Sequence, residues 1–229
     1  ATTTGKSYIF YGSASGIANT TATSSTSILT GEQASSRFGV SSALADLNGD
    51  GFADVIIGAS YWDDGNTFAN GRTYIFYGSA GRITTGLAST ANRIITGVDY
   101  DNFGGSFNVG DINNDGYADL IVAAVGAKNA LTNTVGKAFL FFGSASGITQ
   151  TTSTAAPVIF EGEDLAPSPS FGSSIVVGDF DADGFSDIGI GASAYNTNFG
   201  RAYMFYGTGA GGFTPGTYMA SPSNAIATG

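Results

Sequence analysis

Asp46-Leu-Asn-Gly-Asp-Gly-Phe-Ala-Asp54, Asp111-Ile-Asn-Asn-Asp-Gly-Tyr-Ala-Asp119 and Asp179-Phe-Asp-Ala-Asp-Gly-Phe-Ser-Asp187 are three copies of one acidic loop. Each carries an oxygen side chain at positions 1, 3, 5 and 9, and Gly at position 6. Hard cations such as Ca²⁺ take six to eight oxygen ligands in flexible geometry. Alternating carboxylates and carboxamides in a tight loop converge on one point, and the Gly permits the sharp turn. The predicted ligands are therefore Asp46, Asn48, Asp50 and Asp54; Asp111, Asn113, Asp115 and Asp119; and Asp179, Asp181, Asp183 and Asp187. The main-chain carbonyls of Phe52, Tyr117 and Phe185 are available as a further ligand in each loop. Asx-rich turns also arise for backbone reasons alone. They do not require Asp at positions 1, 5 and 9 three times over. An EF-hand needs Glu at position 12, and Ile57, Val122 and Ile190 stand there.

The loops recur at intervals of 65 and 68 residues, and other landmarks keep that period. Phe38-Gly39, Phe103-Gly104 and Phe171-Gly172 each begin eight residues before a loop. The loops run into Val55-Ile-Ile-Gly-Ala-Ser60, Leu120-Ile-Val-Ala-Ala-Val125 and Ile188-Gly-Ile-Gly-Ala-Ser193. An aromatic block occurs four times, as Gly5-Lys-Ser-Tyr-Ile-Phe-Tyr-Gly12, Gly71-Arg-Thr-Tyr-Ile-Phe-Tyr-Gly78, Gly136-Lys-Ala-Phe-Leu-Phe-Phe-Gly143 and Gly200-Arg-Ala-Tyr-Met-Phe-Tyr-Gly207. A last block reads Ile28-Leu-Thr-Gly31, Ile94-Ile-Thr-Gly97, Val158-Ile-Phe-Glu-Gly162 and Ile226-Ala-Thr-Gly229.

Short β-branched and aromatic runs bounded by Gly, Ser, Asn and Asp are strands separated by turns. No stretch keeps a helical period over three turns. Each unit offers strand A from Phe-Gly to the loop, strand B after it, the aromatic strand C, and strand D at Ile-Thr-Gly. Tandem four-stranded units predict an all-β fold, a β-propeller of antiparallel blades packed face to face. The Gly-Ala pairs of strand B suit close approach near the axis, and the strand C aromatics fill the space between blades. The units are a partial blade at 1–36 (strands C and D) and complete blades at 37–102, 103–170 and 171–229.

The unit resembles the FG-GAP repeat of the N-terminal propellers of integrin α-subunits and of many bacterial extracellular proteins. The Phe-Gly pairs and the Asp-x-Asn-x-Asp-Gly-x-x-Asp loops carry the match over nearly the whole chain. The Gly-Ala-Pro element departs from the pattern: Ser60 and Ser193 replace Pro, and Ala123-Ala124-Val125 replaces the triplet. The resemblance implies calcium in the A–B hairpins on one face and partner binding on the opposite face, built from B–C and D–A loops. Family propellers usually close with seven blades, so about three and a half units form an arc. The expectation is that more of a parent polypeptide, a second copy or another chain completes it.

The formal charge is −10, from 18 acidic and 8 basic residues. Ten of the acids lie in the three loops. Three bound Ca²⁺ would bring the charge to −4. An acidic chain without basic runs argues against nucleic acid and anionic membranes as partners. Cys is absent, so metal is expected to take the stabilising role of disulfides. Millimolar extracellular calcium suits sites of this type, with affinities on the order of 10⁻⁴–10⁻³ M. No apolar run in this sequence is long enough to span a membrane, and no signal peptide is expected within it. A start at Ala1 rather than Met reads as processing or excision. The expected setting is extracellular, secreted or at the cell surface.

Other motifs lead nowhere. Gly207-Thr-Gly-Ala-Gly-Gly212 has the letters of a dinucleotide fingerprint, but Phe213-Thr-Pro-Gly cannot open the helix it needs. Gly5-Lys6-Ser7 leads into a strand and lacks the upstream Gly of a phosphate loop. Asn19-Thr20-Thr21 is a sequon that chance supplies often. His is absent, which removes His-based triads and His-containing zinc sites. The expected function is a non-catalytic, calcium-stabilised module for adhesion or surface assembly. The alternative is a glycan-binding or carbohydrate-active propeller. For that, Tyr61-Trp62-Asp63-Asp64 is the candidate platform, with Tyr100 and Tyr195 of similar kind. Partner contact is expected at Tyr61–Asp64, Asp99–Asp101 and Glu161–Asp164, which vary between repeats while the strands do not.

Overall fold

The computed structural model describes residues 4–17, 21–65, 69–98, 100–164, 169–209, 211–221 and 225–228. The first unit contributes β1 (Lys6–Ile9) and β2 (Ser27–Thr30). The second contributes β3 (Ser42–Ala45), β4 (Asp54–Ala59), β5 (Arg72–Phe76), a short β6 (Gly86–Leu87) and β7 (Arg93–Thr96). The third contributes β8 (Phe107–Gly110), β9 (Asp119–Ala124), β10 (Lys137–Phe141) and β11 (Val158–Glu161). The fourth contributes β12 (Phe171–Gly178), β13 (Asp187–Ala192), β14 (Arg201–Phe205), β15 (Gly216–Met219) and β16 (Ala225–Thr228). Helix is limited to three 3₁₀ turns and the single turn α1 (Tyr195–Asn198) among the described residues.

Strands A, B, C and D of each complete unit pair antiparallel in that order, as in the propeller blade. Tyr74 faces Ile57, Phe139 faces Val122 and Tyr203 faces Ile190 across the B–C pairs. Strands β4 and β9 are buried at all six residues, because both faces lie against neighbouring blades. That is why they read as continuous apolar runs rather than alternating ones. Close approach at the strand B glycines holds too: a Cβ on Gly58 would collide with the Gly104 carbonyl and the Ser41 hydroxyl.

The core consists of three layers, one at each junction between units. Leu29, Phe38, Ile57 and Tyr74 centre the first, Leu47, Ile75, Phe103 and Phe141 the second, and Phe160, Phe171, Tyr203 and Phe205 the third. Each Phe of a Phe-Gly pair meets the strand C aromatic edge-on: Phe38 on Tyr74 at 5.4 Å, Phe103 on Phe139 at 5.9 Å, Phe171 on Tyr203 at 5.6 Å. Burying such a side chain stabilises by about 1.5–3 kcal/mol, so the junctions hold the arc together.

Two features differ from the sequence expectation. Strand A is short in two blades: β3 and β8 begin four residues after the Phe, and only β12 starts at it, across a bulge. The blades also do not end at strand D. The connection from C to D crosses back and pairs parallel with strand D of the preceding unit. β6 lies on β2 and β15 on β11, and Thr152 bridges Thr96. These straps cover an edge that would otherwise expose unpaired backbone. Tyr11 and Tyr77 fix two of them, each hydroxyl accepting a backbone N–H, from Ile83 at 2.8 Å and Ile148 at 3.0 Å. At the third junction Phe142 has no hydroxyl, and Phe213 packs on Phe160 at 5.1 Å instead. The start of each connection does repeat, as Ser13-Ala-Ser-Gly-Ile17, Ser79-Ala-Gly-Arg-Ile83 and Ser144-Ala-Ser-Gly-Ile148, but nothing in that repeat shows that it pairs with the preceding unit.

Candidate metal centres

The three acidic loops close the A–B hairpins, and all three fold by one hydrogen-bond scheme. The position 1 carboxylate accepts the N–H groups of positions 5 and 6: Asp46 from Asp50 and Gly51, Asp111 from Asp115 and Gly116, Asp179 from Asp183 and Gly184. Position 3 accepts from position 5, and position 5 accepts from position 7. Position 6 has φ of 84°, 91° and 91°, the left-handed region that Gly enters freely. The chain thus wraps its oxygens inward by local bonds. Each bond uses one of the lone pairs on a carboxylate oxygen and leaves capacity for a cation.

Position 9 plays a part the sequence does not reveal. Asp54, Asp119 and Asp187 are fully buried. One oxygen of each accepts the N–H of position 2, from Leu47, Ile112 or Phe180, at 2.8 Å. The other accepts the N–H of the Gly that ends strand C, from Gly78, Gly143 or Gly207. The last loop acid therefore fastens the loop to strand C of its own blade. Burial pushes the Asp119 carboxyl up to about 6, outweighing its backbone hydrogen bonds. Burial also raises Asp54. Asp181 is raised by lost hydration and then by the charges of Asp183, Asp187 and Asp179. Carboxylates crowded in this way are relieved by a cation.

The donor set fits a hard cation. Carboxylate oxygens of Asp179, Asp181 and Asp187 lie within 4.8 Å of one another. Asp183 stands beside them, its Oδ1 taking the Phe185 N–H. In the first two loops Asn48 and Asn113 hold the position 5 carboxylate through Nδ2, at 3.1 and 2.9 Å. The loops also form a row. The Asp46 carbonyl accepts the Ala118 N–H, and the Asp111 carbonyl accepts the Ser186 hydroxyl.

The FG-GAP repeat family matches residues 38–76, 103–136 and 171–205, each match running from a Phe-Gly pair through an acidic loop and strand B, the first and third to the end of strand C and the second to the residue before it. The chain carries three FG-GAP repeats, and this repeat region is similar to integrin α-subunits. Similar proteins include human integrin alpha-6, 35% identical over 167 residues, rat integrin alpha-7, 34% over 177, and Drosophila melanogaster integrin alpha-PS5, 36% over 173. These alignments cover 72%, 76% and 71% of the chain but only 13%, 14% and 15% of those proteins.

At the other end of the strands, the B–C and D–A loops of this FG-GAP domain hold a second repeated device. Glu32 accepts from Arg72 and from the Tyr74 hydroxyl at 2.7 and 2.6 Å, and Arg72 stacks on Trp62 at 3.2 Å. Glu163, Arg201, Tyr203 and Tyr195 repeat the arrangement, at 2.8, 2.8 and 3.7 Å. Burial and the adjoining carboxylate hold both phenols well above the usual range. Trp62 is therefore buried under Arg72, and the platform expected for a glycan is spent on packing. Tyr61 remains exposed beneath Arg37 at 3.9 Å, and Tyr100 beneath Lys128 at 4.8 Å. Between the second and third units all four residues are exchanged together, for Val98, Lys137, Phe139 and Ala127. A cleft of about 680 Å³ opens there, lined by these four with Asp64 and Asp101 among its polar groups. Asp99, the sequon residues Asn19 and Thr20, Ala210 and Gly229 lie outside the described residues.

Proposed function

We propose that this FG-GAP domain is a calcium-stabilised, non-catalytic extracellular module for adhesion or surface assembly, with about three Ca²⁺ per chain. The observation that carries this reading is the shared loop scheme: three acid-rich loops, pre-wrapped by their own backbone, each anchored through a buried Asp. The ligands would be the twelve side chains at positions 1, 3, 5 and 9 and the carbonyls of Phe52, Tyr117 and Phe185. Bound calcium would neutralise acids that crowd one another and tie each loop to strand C. Metal then acts on folding and not on a reaction.

Protein partners would meet the B–C and D–A loops, at the face away from the metal. The cleft between the second and third units supports this, because it is a recess with apolar walls and a charged rim. No helix among the described residues is long and apolar enough to cross a membrane. The relatives' name, integrin, supports the cell-surface setting.

Thermal melting with and without metal tests the reading. A ligand at about ten times its Kd contributes about 1.4 kcal/mol per site. Three sites give about 4 kcal/mol, or about 10 °C for a domain of this size. Identical melts in chelator and in excess calcium would refute it.

A further inference from the structure

The sequence holds two Asn-Gly pairs, Asn48-Gly49 and Asn70-Gly71, and four Asp-Gly pairs, at Asp50, Asp64, Asp115 and Asp183. Such pairs are chemically weak points. A Gly nitrogen has no Cβ beside it, so it can reach the side-chain carbonyl carbon of the preceding residue and close a five-membered imide. The reaction needs that nitrogen free and the peptide link able to turn.

In five of the six pairs the Gly N–H is already donated. Gly71 donates to the Trp62 carbonyl at 2.9 Å, and the Asn70 main-chain carbonyl accepts the Phe103 N–H at 3.1 Å. Asn70 is also buried. Gly51, Gly116 and Gly184 donate to the position 1 carboxylates, and Gly65 donates to Asp63 Oδ1 at 2.8 Å. Asn48-Gly49 differs in each respect. Among the described residues the Gly49 N–H donates no hydrogen bond and the Asn48 main-chain carbonyl accepts none. Gly49 is exposed and Asn48 half-buried. The Asp50 N–H reaches Asn48 Oδ1 at 3.1 Å, where it stabilises the negative charge that attack develops.

The open pair has a structural reason. Position 4 is Asn114 and Ala182 in the other loops, but a Cβ on Gly49 would lie 2.6 Å from the Tyr117 ring of the second loop. Packing of one loop on the next demands the glycine that exposes the first to attack.

We propose that Asn48 is a site of spontaneous deamidation. The Gly49 nitrogen bonds to Asn48 Cγ, the Cγ–Nδ2 bond breaks, and the Gly49 proton leaves with Nδ2 as ammonia. Water then opens the imide at either carbonyl. Opening at Cγ gives aspartate at position 48, so that the first loop matches the third, where Asp181 stands at position 3. Opening at the main-chain carbon gives isoaspartate, which adds a carbon to the main chain and breaks the turn that carries the loop oxygens inward.

Ageing the whole chain in buffered chelator, followed by proteolysis and mass spectrometry, tests it. Asn48 should convert to aspartate and isoaspartate at least about tenfold faster than Asn70, because the Asn70 link must first open. In denaturing urea that ratio should collapse, since both pairs are then free. Equal rates in the folded chain, faster conversion at Asn70, or a ratio unchanged by urea would overturn the proposal. Calcium should slow the reaction at Asn48, because a coordinated Oδ1 holds the carboxamide away from Gly49; this arm alone rests on the proposed ligand set. An unchanged rate in calcium would remove Asn48 from that set and leave the modification site standing.

Discussion

The first two acidic loops and the third share the bonds that their backbone N–H groups donate but not their surroundings. At position 2, Leu47 and Ile112 are completely buried, while Phe180 is 53% exposed. The Leu47 carbonyl also accepts the Ser144 N–H, and the Asn113 carbonyl accepts the Gly211 N–H, both from the following unit. Tyr206 shows the same contrast, 52% exposed where Tyr77 is half-buried against Ile148. A loop's shape is thus set within its hairpin, whereas its packing is supplied by the next blade. Metal binding should follow the first and folding stability the second.

The largest expected effect separates the two. Leu47→Ala or Ile112→Ala should each lose about 2–5 kcal/mol in urea denaturation, the usual result of a cavity in a packed core. Phe180→Ala should lose less than about 1 kcal/mol, because its ring is already in water. Equal losses would mean that the third loop is covered in solution.

The next effect lies within one loop. Asp119→Ala strands the N–H groups of Ile112 and Gly143 and should lose about 3 kcal/mol even in chelator. Asp115→Ala, at an exposed position, should change stability in chelator little and yet weaken calcium binding strongly. If both variants behave alike, the division between anchor and ligand is wrong.

The acids also predict a pH dependence for the metal-free protein. Asp119 sits at about 6 and Asp54 is raised, both by burial. The folded state therefore binds their protons more tightly than the unfolded state does. Stability in chelator should rise as pH falls from 7 through about 6, and calcium affinity should fall over the same range. Melting curves across pH 7.5 to 5 check both, and a chelated protein that weakens steadily on acidification would contradict the sign.

The smallest effect concerns position 4, where Gly49, Asn114 and Ala182 have φ of 70°, 58° and 62°. Ala182→Gly should stabilise the third loop by about 0.5–1 kcal/mol. Gly49→Ala should cost more than that, since its Cβ would lie 2.6 Å from the Tyr117 ring.

The blades, the loops and their period are legible in the sequence because strand chemistry and the Asp-Gly turn are local. The straps are not, because backbone pairing of β6 on β2 leaves no signature in Gly86 and Leu87. The Glu32–Arg72 and Glu163–Arg201 pairs are half legible: Glu follows the strand D Gly only where Arg opens the next strand C. Trp62 misleads for a related reason, since nothing adjacent to it shows that Arg72 covers its ring. The position 9 Asp reads as one more ligand, and only the fold shows its two bonds to backbone N–H groups.

The central claim is that the three loops are metal sites, and calorimetric titration of the stripped chain with calcium tests it most directly. The account predicts about three Ca²⁺ per chain. The third loop should bind most tightly, because Asp181 gives it a fourth carboxylate, and Asp181→Asn should weaken that site. A stoichiometry of zero or one would contradict the account.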